Sequence, residues 1–223
     1  MSANSTDTVP TNRVSRQKQR TRGRLVNAAL TVMAHKGVDA TTISDITETA
    51  DVGFGSFYNY FGSKEEILDA AIGDLFDNIG TRIDENIAEI EDPCLALATA
   101  VRILVGILIA RKDWAEFIIR ICAVPGYKQL GIYARLFRDI EKVHASGRLV
   151  IPDPGVVTYA VGGAILFMIV ALVERDLPRE GAPERIAAMA LRMLGASEDD
   201  IRDLRSEEHT SELQSRVDIS YAV

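Results

Sequence analysis

The sequence predicts an all-α fold of roughly nine helices, because apolar residues recur at three- and four-residue steps and no stretch sustains the two-residue alternation of a strand. The prolines agree with this. Pro93, Pro125, Pro152, Pro154, Pro178 and Pro183 punctuate Ala/Leu/Ile-rich stretches at helical lengths. The chain has 223 residues, 47% hydrophobic and 26% charged, which is too apolar for disorder and long enough to bury a sizeable core.

Residues 1–15 are rich in Ser, Thr and Asn around Pro10. They read as a disordered arm and lack the apolar run of a secretory signal. Leu25, Ala28, Ala29, Val32 and Met33 then mark the buried face of a helix that Gly37 caps. Thr42 with Asp45 matches a capping box and opens a short helix with Ile43, Ile46 and Ala50 on one face. Asp51-Val52-Gly53 breaks it, leaving Gly55 to Phe61 room for two turns. Ser63 with Glu66 is a second capping-box match, opening a long helix through Ile67, Leu68, Ala71, Ile72, Leu75, Phe76 and Ile79. The chain thus divides into the arm, a helix-turn-helix domain at 16–64 and a larger helical domain at 65–204.

Gly155 to Val173 form 19 residues without a charge, close to the length that crosses a bilayer. Gly162-Gly163, Thr158 and Tyr159, with no second comparable span and no flanking basic cluster, favour burial in a large core or an interface. A membrane anchor through 155–173 is the alternative. Further on, Arg205 to Ser215 (RSEEHTSELQS) break the helical pattern and are compatible with a sequencing-library adapter translated in frame. Residues 205–223 are therefore expected to be a non-native tail, a polar helical tail being the other reading.

Cys94 and Cys122 lie 28 residues apart without a CxxC pair or a neighbouring histidine. That argues against a disulfide scaffold or structural zinc and suits a reducing cytoplasm. No metal, cofactor or catalytic residue is expected. GFGSF at Gly53 to Phe57 is not a GxSxG nucleophile elbow, and His35 and His144 stand alone.

The net charge of −7 is unevenly placed, since Met1 to Lys64 carry eight basic and five acidic residues, a net +3. Arg13, Arg16, Lys18, Arg20, Arg22 and Arg24 follow one another with no acid between them. Such a run suits a phosphate backbone, an anionic membrane surface, or only a solvated helix start.

A helix, a Gly-containing turn and a short second helix ending in aromatics form the pattern of a helix-turn-helix. Phe54, Phe57 and Phe61 share a face that packs on Ile43, Ile46 and Val52, leaving Ser56, Tyr58, Asn59 and Tyr60 outward. Large rings at a surface usually meet a partner. Hydroxyls and an amide donate to phosphates or read base edges, and Gly55 lets the backbone approach closely. The helix opened by Thr42 offers its first amides to a phosphate.

The segment TTISDITETADVGFGSFYNYFGSKEEIL resembles the DNA-binding signature of the TetR family of bacterial transcriptional regulators. The resemblance is detailed from Arg20 to Leu68 and rests on length and helix rhythm beyond. It implies a ligand-responsive repressor that binds a pseudo-palindromic operator on double-stranded DNA as a homodimer and is released by a small molecule. It places Thr42 and Ser44 against phosphate and the groove edge, and Phe54, Gly55 and Ser56 at bases. Tyr58, Asn59 and Tyr60 reach base edges and phosphates, and Lys64 clamps a phosphate. The turn Asp51-Val52-Gly53-Phe54 departs from the family pattern, which more often has a glycine at the first of these positions and a small polar residue or lysine near the last. Phe54 therefore either touches a thymine methyl or tucks into the core.

For the second domain the resemblance implies effector binding, and dimerisation through about 155–175 and 184–195, where Ile186, Ala187, Met189, Ala190, Leu191 and Leu194 join a four-helix interface. Candidate pocket residues are Leu104, Ile107, Leu108, Trp114, Phe117, Arg120, Cys122, Tyr127, Tyr133, Phe137 and Phe167, although plain core packing is the default reading of any one of them. Arg120, among Phe117, Ile118, Ile119 and Ile121, reads as a buried cation in need of an anion. A ligand carboxylate, Glu116 or Asp113 could supply it.

Overall fold

The computed structural model describes residues 13–122, 131–175 and 177–202. Among them the elements are helices: α1 (Arg13–Lys36), α2 (Ile43–Thr49), α3 (Phe54–Phe57), α4 (Lys64–Ile87), α5 (Pro93–Ala110), α6 (Lys112–Cys122), α7 (Gly131–Ala145), α8 (Pro154–Glu174) and α9 (Ala182–Met193). A further helical turn begins at Glu198. α1 starts at Arg13, inside the span read as an arm, because Arg, Gln and Lys are good helix formers despite their polarity. The chain separates into two compact units between Ala71 and Ile72. That point lies inside α4, past the 64/65 boundary read from the capping signal, which marks where a helix starts and not where its packing partners change. The tail 205–223 lies outside the described residues.

In the first unit the helix signals act as local chemistry dictates. Gly37, at φ +85°, closes α1 and donates its N–H to the Met33 carbonyl. The Thr42/Asp45 capping box forms in both directions. The second differs in detail: Ser63 Oγ accepts the Glu66 N–H at 3.2 Å, while the Glu66 carboxylate accepts the Gly62 N–H at 2.6 Å. Leu25, Ala29 and Met33 of α1, Ile46 of α2 and Phe57 of α3 are completely buried together.

The second unit is built around α5, apolar on every side, with packed neighbours in α6, α7, α8 and α9. Asp92 caps it, Oδ1 accepting from the N–H groups of Cys94 and Leu95, and Pro93 follows at the first helical position. α5 is long and apolar enough to cross a membrane by composition, as is α8, so the sequence does hold a second comparable span. Within α5 sits Arg102, 4% exposed, whose Nη2 pairs with Glu184 of α9 at 3.3 Å.

α9 buries Ile186, Ala187, Ala190 and Leu191 within its own chain, chiefly against α5. These residues were expected to meet a second copy through 184–195; within one chain α9 leaves Met189 half-buried and Met193 40% exposed on that segment. α8 differs, leaving Val156 (65% exposed), Tyr159 and Phe167 (68% exposed) in one outward stripe.

The Arg102 pair provides a stability test. Glu184→Ala removes a carboxylate from a buried guanidinium and is expected to cost about 2–4 kcal/mol, whereas Arg102→Met, apolar and of similar length, stays within about 1 kcal/mol of the parent. Urea unfolding of both variants measures the difference, and equal losses would contradict it.

Candidate nucleic-acid interface and effector cavity

In the first unit the turn between α2 and α3 is held by chemistry distant in sequence. Asp51 adopts φ +50°, a left-handed conformation in which Asp is tolerated where glycine is easiest. Arg24 Nη2 donates to both its carbonyl and its carboxylate at 3.0 Å. Gly53 then caps α3, a single turn; Phe57 at its end and Phe61 just beyond it are buried, their ring centroids 5.8 Å apart, with the Arg22 guanidinium 5.5 Å over Phe61.

Phe54 does not share that inward face. It is 53% exposed and stacks edge-on against Tyr58, also 53% exposed, at 5.9 Å between centroids. As the first residue of a one-turn helix it has no preceding turn to pack beneath, so its ring lies over the residue four positions on. The open choice for Phe54 is thus settled against the core. Asn59 and Gly55 are exposed, Ser56 and Tyr60 half-buried. A Cβ on Gly55 would meet nothing within 4 Å, so nothing inside the chain requires a glycine there.

Thr42 and Ser44 are exposed at the start of α2. The Thr42 hydroxyl donates to Asp45, and Ser44 donates to Glu48 at 3.1 Å. Asp45 also accepts the Lys36 ammonium and the Thr42 N–H, and together these hold its carboxyl down to about 2. The first amides of α2 are thereby partly satisfied from within. Lys64 is half-buried, its ammonium donating to the carbonyls of Val38 and Asp39 at 3.1 and 3.2 Å. Two of its three donors therefore tie α4 to the loop after α1, leaving one for the phosphate that the sequence reading assigned it.

The second unit holds a half-open cavity of about 440 Å³. α5 contributes Leu97, Ala100, Val101, Leu104 and Leu108, and α6 contributes Ile118, Ile121 and Cys122. α7 adds Ile132, Tyr133, Arg135, Leu136 and Asp139, α8 adds Tyr159, Gly162, Gly163, Ile165, Leu166 and Ile169, and Phe76 and Ile83 complete the wall from α4. Of the residues expected in a pocket, Leu104, Leu108, Cys122 and Tyr133 line it.

The others do not. Ile107 and Phe117 are buried in core packing elsewhere, and Trp114 lies beneath the Arg111 guanidinium at 4.2 Å. Phe137 and Phe167 are exposed, one on α7 and the other on the outward stripe of α8. Arg120 is exposed too, because α6 is amphipathic and the apolar neighbours of Arg120 in sequence point to its other side. Tyr127 lies outside the described residues. Ala100, Gly162 and Gly163 line the cavity without being among the residues expected there, and their small size was the available signal for unfilled space.

Polar groups gather where α7 meets α4 and α8. Arg135 Nε donates to Asp84 at 3.2 Å, and Arg138 bridges Asp84 and Asp139 at 2.8 and 2.9 Å. Burial alone would raise the Asp84 carboxyl, yet donation from Arg138 and Arg135 holds it below the ordinary range. The Tyr133 and Tyr159 rings lie 4.4 Å apart, and desolvation together with donation to Tyr159 pushes the Tyr133 phenol up to about 12.

Comparison with known proteins follows the same two units. Residues 25–71 match the model for bacterial regulatory proteins of the tetR family, and residues 92–206 match that for a tetracyclin repressor-like C-terminal domain. The transcriptional repressor KstR2 of Mycobacterium tuberculosis is 33% identical over 81 residues, a match covering 36% of this chain and 40% of that relative. The crystal structure of RolR with resorcinol is 31% identical, with a TM-score of 0.65 over 85% of this chain and 95% of that one. FadR of Bacillus subtilis, solved with stearoyl-CoA, shares the fold at 20% identity, with a TM-score of 0.64 over 78% of this chain and 95% of its own.

The Asp45 contacts fix a pH dependence. A carboxyl depressed in the folded state stabilises fully above its ordinary value of 3.8, and that contribution is lost as pH falls towards about 2. NMR titration should place the Asp45 midpoint near 2 in the parent and nearer 3.8 in Lys36→Met. A parent midpoint already near 3.8 would mean that the contacts do not form in solution.

Proposed function

The chain belongs to the tetR family of bacterial regulatory proteins, and from that premise we propose that it is a ligand-responsive transcriptional repressor acting in the cytoplasm. On this reading it binds a pseudo-palindromic operator as a homodimer and leaves it when a small molecule fills the cavity of the second unit. The observation that carries the reading is the division of side chains in α3 and the turn after it: Phe57 and Phe61 anchor the segment, while Phe54, Tyr58 and Asn59 stand exposed with Gly55 open beside them. Phe54 and Tyr58 supply apolar edges for a thymine methyl or the sugar backbone, and the Asn59 amide can pair bidentately with a base. Thr42, Ser44, Ser56, Tyr60 and the remaining Lys64 donor are assigned to phosphates and groove edges.

The relatives support each half of the proposal in their own terms. KstR2 is a transcriptional repressor, and RolR binds resorcinol in a fold that this chain shares over most of its length. The apolar stripe on α8 supports a two-fold contact between copies at 155–175, with Ala160 and Gly163 allowing close approach. Pairing two short recognition elements about one DNA turn apart is what gives a one-turn α3 enough specificity. Membrane anchoring through 155–173 has less support, because α8 packs on α6, α7 and α9 of its own chain. Ligand release of DNA is limited by the difference in effector affinity between the bound and released states.

Two measurements test this. In gel-shift titration against the duplex upstream of its own gene, Asn59→Ala should lose about 1–3 kcal/mol on the specific site and little on random DNA, while Tyr58→Ala weakens both. Equal loss for Asn59→Ala on both duplexes would remove it from base readout. In sedimentation, Phe167→Glu should shift the dimer towards monomer and lower operator affinity in step, since a charge would be buried at the contact. A variant that remains dimeric would move the interface away from α8.

A further inference from the structure

We propose that the cavity selects a neutral, predominantly apolar molecule carrying a hydroxyl or carbonyl at one end, received by the Tyr133–Tyr159 phenol pair, and that it rejects carboxylates. This rests on reading the cavity as the effector site and adds the chemical class of the effector. The charges at the wall decide it. Arg135 is the one cation among the described lining residues, and its guanidinium is already turned towards α4, on Asp84 at 3.2 Å and Asp77 at 3.9 Å. The fold makes room for that orientation: a Cβ on Gly80 would collide with the guanidinium, so α4 carries a glycine where Arg135 crosses it. Asp139, the lining carboxylate, is buried and matched by Arg138 at 2.9 Å and Lys142 at 3.6 Å. Three cations and three carboxylates thus form a balanced set. A ligand carboxylate would add a negative charge to this set, and among the described lining residues no cation without a carboxylate partner faces it.

The remaining polar groups are of a different kind. Tyr133 is held in its neutral form, and the phenol pair both donates and accepts, which suits an alcohol, phenol or carbonyl oxygen. The rest of the wall is mostly aliphatic, from Leu97, Leu104, Leu108, Ile165 and Ile169, and the volume of about 440 Å³ falls among pockets that take whole small molecules.

The test uses two probes of equal chain length and different charge, 1-decanol and decanoate, titrated calorimetrically into the full chain at pH 8. The alcohol should bind at least about tenfold tighter than the anion. Tyr133→Phe should weaken decanol binding about fivefold, while the free protein, losing only the Tyr133–Tyr159 hydrogen bond, drops by no more than about 5 °C in melting temperature. Decanoate binding as tightly as decanol would overturn the neutral class while leaving the cavity as the effector site. Unchanged decanol affinity in Tyr133→Phe would overturn the phenol pair as its polar anchor. Binding of neither probe would overturn the cavity reading and this inference with it.

Discussion

A helix with no polar face cannot stand in water, and the second unit is organised by that constraint on α5. The helix buries thirteen of its 18 residues, so neighbours must cover it from several sides at once, and α6 to α9 do so. The one charge on it, Arg102, is tolerated because α9 brings Glu184 to it. The same arrangement leaves the cavity. Ala100 on α5 and Gly162 and Gly163 on α8 are too small to fill the space between rigid helices, and a close-packed interior cannot relax fully into such a gap.

In the first unit the comparable constraint is the burial of two rings beneath one helical turn. α3 is too short to hold itself together by backbone hydrogen bonds, so Phe57 and Phe61 anchor it from below. Several basic residues that sequence alone assigns to a polyanion serve the fold as well. Arg22 covers Phe61, Arg24 grips Asp51, and Lys64 ties down the loop after α1. The positive charge of this unit is consequently a poor count of its contacts to DNA. On the proposed function the exposed pair Phe54 and Tyr58 is the better marker, since neither ring is taken up by the interior.

Much of this was legible beforehand, and the reasons are physical. Capping boxes, the Gly37 cap and the apolar periodicity act within about four residues, a range that sequence displays directly. The cavity was legible only in part. Leu104, Leu108, Cys122 and Tyr133 were found because they lie on apolar helices, but rings were mistaken for pocket walls at Trp114, Phe117, Phe137 and Phe167. Arg120 was expected to be buried, while Arg102, which is buried, drew no expectation, for a similar reason. Apolar neighbours in sequence surround a residue only if the helix is buried on all sides, which holds for α5 and fails for the amphipathic α6.

The sequence by itself determined the helices, the turn chemistry and the DNA-binding signature, because each depends on residues close enough along the chain to interact whatever the rest does. Tertiary structure decided the contacts whose partners are far apart: Arg24 with Asp51 across 27 positions, Arg138 with Asp84 across 54, and Arg102 with Glu184 across 82. It also decided which apolar faces were covered, α9 inward and α8 outward. Such pairings follow from how whole helices pack, and the position of a side chain in an amphipathic pattern does not say which neighbour, or which copy of the chain, will cover it.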